Sequence, residues 1–254
     1  MIINEYNLKL TELKKFLLKK KSNKIKNLQV EFFVESLKNW KNQDTLNETI
    51  NWFKNQKKKS NFKIKSIRLE DCKDWYFDKK KGFIRHITKE FFYVQGVRIF
   101  NTKNREVKQG WDQPILTQVR FNGGILCLFR KKINGLPHYL VEAKAEPGNP
   151  DKLQISPSIQ ATYSNINQKH KGKKPLYLNY INSTNSKVLI SHDISEDGGR
   201  LFKKRNKIML VEIKNNQLAK VKENFRWISL YEIKYLLNKN TWVSPHIRSI
   251  ISLV

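Results

Sequence analysis

Lys144 and Glu146 stand two residues apart in the run His138 to Glu146, whose alternating residue types read as a strand. Side chains at a spacing of two share one strand face, so an ammonium and a carboxylate project together. Such a pair can hold an anion or steady an enolate with the lysine and exchange a proton through the glutamate. A solvated face with a weak ion pair is the plain alternative. Glu146-Pro147-Gly148-Asn149 favours chemistry, because a tight turn holds Glu146 at a rigid strand end. The next segment alternates as well. Leu153, Ile155, Pro157, Ile159 and Ala161 fall on one face, and Gln154, Ser156, Ser158, Gln160 and Thr162 on the other, a rail of uncharged hydrogen-bonding groups. With Ser164 and Asn165, these amides and hydroxyls suit a hydroxyl-rich ligand and a base edge, since amides both donate and accept. Pro157 cannot donate to a ladder, so this strand is expected at an edge or interrupted there. Lys203-Lys204-Arg205-Asn206 precedes a further strand; it reads either as a plain basic loop or as a group that neutralises a diphosphate, which Arg grips with a bidentate fork.

Residues 1–60 read as helical, with Leu10, Leu13 and Leu17 at helical spacing. Thr45-Leu46-Asn47-Glu48 has the form of a capping box, and the Asn- and Lys-filled stretch 54–61 reads as a linker or turn. From Ile64 the pattern turns to strands. Phe91 to Ile99 is rich in aromatic and β-branched residues, and Ile125 to Phe129 is continuously apolar, as in a strand buried on both faces. Asn134-Gly135 tolerates the positive φ of a hairpin turn. Strands follow at Val188 to His192 and Ile208 to Ile213. A second capping box, Ser229-Leu230-Tyr231-Glu232, opens a helix with an apolar stripe at Leu230, Ile233, Leu236 and Leu237. The expected organisation is an N-terminal helical segment over 1–63 and an α+β module over 64–254.

The chain has 254 residues, and its net charge of +28 comes from 40 Lys and 10 Arg set against 22 acidic residues. That field can attract a polyanion or a doubly charged diphosphate. Abundant Lys alongside 26 Asn also has the look of compositional bias. The Lys runs at 19–21, 57–59 and 79–81 lack interleaved aromatics, and no nucleic-acid-binding motif is visible, so nucleic acid is not the expected partner. No apolar run is long enough for a membrane span, and no secretory leader pattern opens the chain, so a cytoplasmic protein is expected. Cys72 and Cys127 are far apart, and the histidines at 86, 138, 170, 192 and 246 are scattered, so no metal site is expected. Neither a dinucleotide-binding fingerprint nor a P-loop is present, and no cofactor is expected.

The sequence resembles the NDP-hexose 2,3-dehydratase family of deoxysugar biosynthesis. The pieces that carry the likeness are Trp111-Asp112-Gln113-Pro114, Ala143 to Asn149, Gln154 to Asn165, His170 with Gly172, Tyr177-Leu178, Ser195-Glu196 and Lys204-Arg205-Asn206. Upstream, Trp75, Gly82, Arg85-His86 and Phe91-Phe92 also fit. Asp197-Gly198-Gly199 departs from the family's more usual run, which bears on the geometry near Glu196. The resemblance implies a Nudix-like mixed, mostly antiparallel sheet with flanking helices and without the metal-holding box of Nudix hydrolases. It implies loss of water across C2 and C3 of an NDP-4-keto-6-deoxyhexose, most simply the dTDP-glucose derivative. Glu146 is then the base, Lys144 lies beside the developing oxyanion, and Glu196 or His86 is the acid. Arg85, Trp111, Gln113, Gln118, Gln154, Ser156, Gln160, Thr162, Ser164, Asn165, Lys204, Arg205 and Asn206 would hold the nucleotide sugar. Family members look like two fused modules where this sequence holds one, which implies a homodimer. The competing reading is an inert nucleotide-sugar-binding module, or a half that pairs with an active chain.

Overall fold

The computed structural model of the protein describes residues 2–19, 27–169, 171–214, 218 and 220–253, with the backbone alone of Leu18, Lys19 and Asn122. His170 and most of the Lys run at 19–21 lie outside the described residues.

Three helices lead the chain: α1 (Ile2–Lys19), α2 (Asn27–Leu37) and α3 (Gln43–Lys59). The helical reading of this stretch holds, with two corrections. The cap of α3 is Asn42, whose side chain accepts the Thr45 N–H, so Thr45 lies inside the first turn. Asn caps better than Thr, and the helix starts at the stronger cap. The expected linker at 54–61 is helical as far as Lys59, with three lysines in the last turn, where the helix dipole favours cations.

Two sheets follow. β1 (Trp75–Asp78), β2 (Phe83–His86), β3 (Phe92–Ile99) and β4 (Trp111–Gln118) form an antiparallel four-stranded sheet in that order. The larger sheet has seven strands: β5 (Asn122–Ile133), β6 (Leu136–Ala145), β7 (Leu153–Pro157), β8 (Ile159–Thr162), β9 (Ser186–Ser195), β10 (Arg205–Ile213) and β11 (Phe225–Ile228). Its path runs β11-β6-β5-β10-β9, with β7 on β6 and β8 on β5. Only β5 and β10 run parallel among the described pairs. The class is therefore α+β with a mixed, mostly antiparallel sheet, as expected. The β5–β6 hairpin turns at Asn134 (φ 48°) and Gly135 (φ 76°), the conformation that asparagine and glycine adopt at least cost.

Strand alternation gives the large sheet two apolar faces. Leu126, Leu128, Tyr139, Val141, Ile208 and Leu210 pack under α5 (Leu230–Leu237), α6 (Pro245–Ile251) and the Phe32 and Phe53 rings of α2 and α3. The N-terminal helices thus share a core with the strands. Cys127, Phe129, Leu140, Met209 and Val211 form the opposite face, covered by Ile181 and Leu218. The predicted capping box of α5 is present in both halves: Ser229 Oγ accepts the Glu232 N–H, and the Glu232 carboxylate accepts the Ser229 N–H.

A buried ionic network that no sequence pattern announces ties α2 to the sheet. Arg130 on β5 is 1% exposed, and its guanidinium donates to Glu35 at 2.7 Å and to Glu212 and lies 3.0 Å from Glu31. The Tyr139 hydroxyl donates to the second Glu35 oxygen at 2.6 Å. Desolvation still raises the Glu35 carboxyl above its ordinary value, against the pull of Arg130 and Tyr139.

The feature that shapes the rest of the molecule is a splay between β5 and β6. They pair from Phe129–Ile133 to Leu136–Leu140 and then diverge. The ribbon 153–162 enters the gap, β7 pairing with β6 over Val141–Ala145 and β8 with β5 over Gly124–Cys127. Its apex is Ser158, a buried residue whose hydroxyl accepts the Phe129 N–H at 2.9 Å and donates to the Leu140 carbonyl at 2.5 Å. One side chain thus bridges the two strands where their own ladder stops. Pro157 interrupts the strand in the sheet interior, not at an edge. The outer side of β7 is taken by residues 242–244, through Ile155 N–H to Trp242 O and Ser244 N–H to Ile155 O. Chain that closes the V in this way leads directly into α6.

Candidate functional site

At Ala145 the sheet ends and the charged residues gather. The Lys144 ammonium donates to the Gln160 carbonyl at 2.7 Å and lies 3.9 Å from Glu146. Glu146 accepts the Gln160 amide at 2.7 Å. Lys144 on β6 thus reaches across β7 to β8, the ribbon strand that pairs with the other side of the V. The Glu146 backbone is set by the turn the sequence indicates, with Asn149 N–H bonded to Glu146 O and the Asn149 amide to the Lys144 carbonyl. Among the described residues, the buried Gln160 Oε1 has no hydrogen-bond partner. A buried acceptor of this kind is costly unless a donor meets it.

The second half of the cluster comes from the β9–β10 connection. Glu196 follows β9, Lys204 precedes β10, and Glu196 N–H bonds to Lys204 O. Their side chains lie 3.8 Å apart, and the Asn206 amide donates to the Glu196 carboxylate. Glycine is required close by: a Cβ at Gly123 would overlap the Asn206 side chain and the Arg205 carbonyl. His246 stands in the first turn of α6, which follows residues 242–244 along β7. Its imidazole is half-buried, and it feels Glu196, Glu146, Lys204 and Lys144 electrostatically. Burial pushes its ionisation below the usual histidine value, opposed by the two carboxylates and reinforced by the two ammoniums. Among the described residues, neither imidazole nitrogen has a hydrogen-bond partner.

The sequence reading pointed to Lys144, Glu146, Gln160, Glu196, Lys204 and Asn206, and the structure brings these six together. His246 was passed over as one of five scattered histidines. Its only sequence signal is Ser244-Pro245, an N-cap with proline at the first helical position, which marks a helix start but not what that start faces.

The polar rail does not survive as one face. Ile155 packs with Ala143 and the helices, so Gln154 and Ser156 project on the side of Glu142 and Lys144. Ile159 pairs with Cys127 and joins the opposite core, so Gln160 and Thr162 project on the Leu126 side. The break at Pro157–Ser158 restarts the two-residue period and reverses the faces. Gln154 donates to the Thr241 carbonyl, Ser156 is buried, and Thr162 caps the short helix α4 (Tyr163–Ile166), with Ser164 3.0 Å from its hydroxyl.

Other expected residues lie elsewhere. His86 and Arg85 are on β2. His86 contacts Thr88, Trp75 and Phe91, and Arg85 lies 3.6 Å from Asp78. None of these partners belongs to the cluster. Trp111 donates to Gln113, and Gln113 donates to the Gly199 carbonyl, which ties β4 to the Glu196 loop, as does the Leu116–Leu201 bridge. Arg205 is exposed, and strand alternation turns it away from the Asn206 face, because only every second residue of β10 can point at the cluster.

Two cavities adjoin these groups. One, of about 440 Å³, is lined by Glu142, Lys144, Gln160, Asn165, Lys173 and Phe225 among others, so Lys144 and Gln160 belong to both the cluster and this cavity. Desolvation raises the Glu142 carboxyl above its ordinary value, partly relieved by Lys144, and the Asn224 amide donates to it at 3.1 Å. A smaller cavity of about 280 Å³ lies between Gln118, Arg120, Tyr163, Ser164 and Lys169. Chemically, the cluster offers carboxylates, an imidazole and ammoniums in one place, which suits proton transfer on an anionic, hydroxyl-rich ligand.

The family model described as NDP-hexose 2,3-dehydratase matches residues 46–254. Curated relatives include the dTDP-4-dehydro-6-deoxy-alpha-D-glucopyranose 2,3-dehydratase of Saccharopolyspora spinosa, 32% identical over 204 residues that make up 80% of this chain and 41% of the relative. The enzymes of the same description from Streptomyces violaceoruber and Amycolatopsis orientalis are 31% and 28% identical, covering 79% of this chain and 44% and 43% of theirs. The chain therefore spans less than half the length of the curated relatives it matches. Among solved structures, a C. elegans Ap4A hydrolase superposes with a TM-score of 0.31 at 11% identity, over 51% of this chain and 93% of that one. The C-terminal domain of mouse MUTYH, in a complex with human PCNA, gives 0.29 at 13% identity, over 52% and 84%.

Proposed function

The chain belongs to the NDP-hexose 2,3-dehydratase family, and from that premise we propose that it removes water across C2 and C3 of a dTDP-4-keto-6-deoxyhexose, as a carbon–oxygen lyase. The observation that carries this reading is the gathering of Lys144, Glu146, Gln160, Glu196, Lys204 and Asn206 at the open end of the β7–β8 ribbon.

The C3 proton of such a sugar lies next to the C4 ketone and is acidified by it. Glu146 is the base that takes it, and its attachment to a rigid turn fixes where the carboxylate points. Lys144, already held by Gln160, lies where negative charge grows on the enolate oxygen. Expulsion of the C2 hydroxyl as water follows, and the resulting enol tautomerises to a 3,4-diketo-2,6-dideoxy sugar. Oxidation state is conserved overall, so the reaction needs no electron carrier. Gln160, Asn165 and Asn206 supply amides for sugar hydroxyls, and Lys204 supplies charge for the diphosphate.

The half-length match to its relatives bears on assembly. We read the active species as a homodimer in which a second copy stands in for the rest of a longer relative. The same observation favours one other reading, a nucleotide-sugar-binding half that works only beside an active chain. Incubating the full chain with dTDP-4-keto-6-deoxyglucose and following loss of water by mass spectrometry separates them. Product formed by this chain alone supports the lyase; binding without product supports the half. In Glu146→Gln, turnover should fall well beyond about tenfold, equivalent to ~1.4 kcal/mol of barrier. A variant that stays within that margin removes Glu146 from the role of base.

A further inference from the structure

Trp111 and Gln113 stand two apart on β4 and so share one face of the four-stranded sheet, while Asp112 between them turns the other way to Arg98. An indole N–H can only donate, and that of Trp111 donates to Gln113 Oε1 at 2.7 Å. This fixes the amide, whose NH2 end donates to the Gly199 carbonyl at 2.8 Å, 86 positions along the chain. Gly199 lies in a turn wound on itself. The Asp197 side chain accepts the Gly199 N–H at 2.9 Å, and the Asp197 carbonyl accepts the N–H groups of Arg200 and Leu201. Glu196 and Lys204 stand at the two ends of this turn, joined by the Glu196 N–H to Lys204 O bond and by side chains 3.8 Å apart. β4 holds the turn a second time through Leu116, which accepts the Phe202 N–H and donates to the Arg200 carbonyl. Those are backbone bonds, indifferent to residue type. Gln113 is a side chain that grips the same turn, and its reach depends on its being glutamine.

We propose that Gln113 is a positioning residue, oriented by Trp111, which sets Glu196 and Lys204 for the reaction by holding the Gly199 carbonyl. The Trp111-Asp112-Gln113-Pro114 run then serves the site from behind the turn and does not touch the nucleotide sugar. What is positioned rests on the dehydratase reading; the clasp itself does not. The four-stranded sheet supplies none of the six gathered side chains, and this contact gives it a part in the chemistry. A carboxylate and an ammonium at the two ends of one short turn move together when the turn shifts. A hydrogen bond at its middle therefore acts on both. The Asn206 amide holds the Glu196 carboxylate from the β10 side, so Glu196 is fixed between a direct partner and a clamped turn.

The test compares the full chain with its Gln113→Glu and Gln113→Leu variants. The first keeps the shape of the side chain and an acceptor for Trp111, but sets an oxygen against the Gly199 carbonyl. The second removes the donor without adding charge. Hydrogen–deuterium exchange of the ligand-free protein, read by mass spectrometry, is expected to rise about fivefold or more over residues 197–204 in both variants, the loss of one hydrogen bond, with β5 and β6 unchanged. With saturating dTDP-4-keto-6-deoxyglucose, water loss should fall about tenfold or more in both, since a displacement of about 1 Å can cost about 100-fold. Wild-type exchange over 197–204 in either variant overturns the proposal. A rise that spreads equally to β5 and β6 is general loosening and overturns it too. So does a local rise with water loss still within about tenfold of the wild type. Turnover lost in Gln113→Glu alone, with exchange unchanged, marks a side chain that meets the substrate's charge directly and is a further refutation. Wild-type chain that forms no product overturns the dehydratase reading and the catalytic half of this inference, while the ligand-free exchange still decides on the clasp.

Discussion

Replacing Ser158 by alanine tests the architecture on which the site depends. Ser158 and Ser156 are each 2% exposed, two residues apart in one ribbon, and Ser→Ala removes the same atom from both. Their bonding differs. The Ser158 hydroxyl serves the Phe129 N–H and the Leu140 carbonyl, whereas among the described residues the Ser156 hydroxyl has no hydrogen-bond partner. Ser158→Ala therefore strands one buried donor and one buried acceptor. At about 1–3 kcal/mol for each unmet buried group, the loss should be about 2–6 kcal/mol, while Ser156→Ala should cost less than about 1 kcal/mol. A domain of this size loses roughly 2–4 °C of Tm per kcal/mol, so a mid-range loss of about 4 kcal/mol lowers Tm by about 8–16 °C. Urea unfolding of both variants, followed by circular dichroism, reads the difference directly. Should the two alanine variants unfold within about 0.5 kcal/mol of each other, the Ser158 bridge does not hold β5 and β6 apart. The ribbon that presents Gln160 would then need another anchor.

Further expectations follow from other contacts. Arg130→Met should cost about 3–5 kcal/mol in urea unfolding, because it leaves Glu35 buried without its cation; adding Glu35→Leu should recover at least half, and no recovery would mean that Arg130 acts through packing alone. Burial, helped by Lys41, lowers the His138 pKa to about 4, so the folded state binds fewer protons than the unfolded one between there and the usual 6.5. Stability should therefore fall as pH drops through that window, by about 3 kcal/mol from this residue, and His138→Gln should flatten the limb; an unchanged slope refutes the burial effect. Gly124→Ala would drive a Cβ into the Ala161 carbonyl of β8, so it should destabilise the protein by more than about 2 kcal/mol, measured as the shift in unfolding midpoint.

What could be read before any coordinates was local. Alternation placed Lys144 beside Glu146, and their side chains lie 3.9 Å apart, because a strand's two-residue period is a property of the backbone itself. Asn134-Gly135 and Ser229 to Glu232 declared a hairpin and a cap through conformational preferences of single residues, and both are present. The same signals failed where a stronger neighbour or an interruption intervened. Asn42 displaced Thr45 as a cap. The rail of Gln154 to Thr162 broke into two faces at Pro157–Ser158, since periodicity carries no information across a missing ladder bond. Pro157 did announce the interruption, but not that it would lie inside the sheet with Ser158 as the bridge.

Residue types nominated Lys144, Glu146, Gln160, Lys204 and Asn206, and the family resemblance added Glu196. Their convergence is a matter of tertiary structure. Lys144 meets Gln160 across 16 positions and Glu196 meets Asn206 across 10, whereas Glu146 and Glu196, 50 apart in sequence, share a site only because β5 and β6 splay and admit the ribbon. α6, which carries His246, starts from residues 242–244 laid along β7. The Arg130 network, which joins α2 to β5 across 95 residues at Glu35, was equally invisible. Backbone preferences act over a few residues and leave their mark in the sequence. Contacts between distant segments are chosen by the packing of the whole core, and no short window of sequence contains the partner.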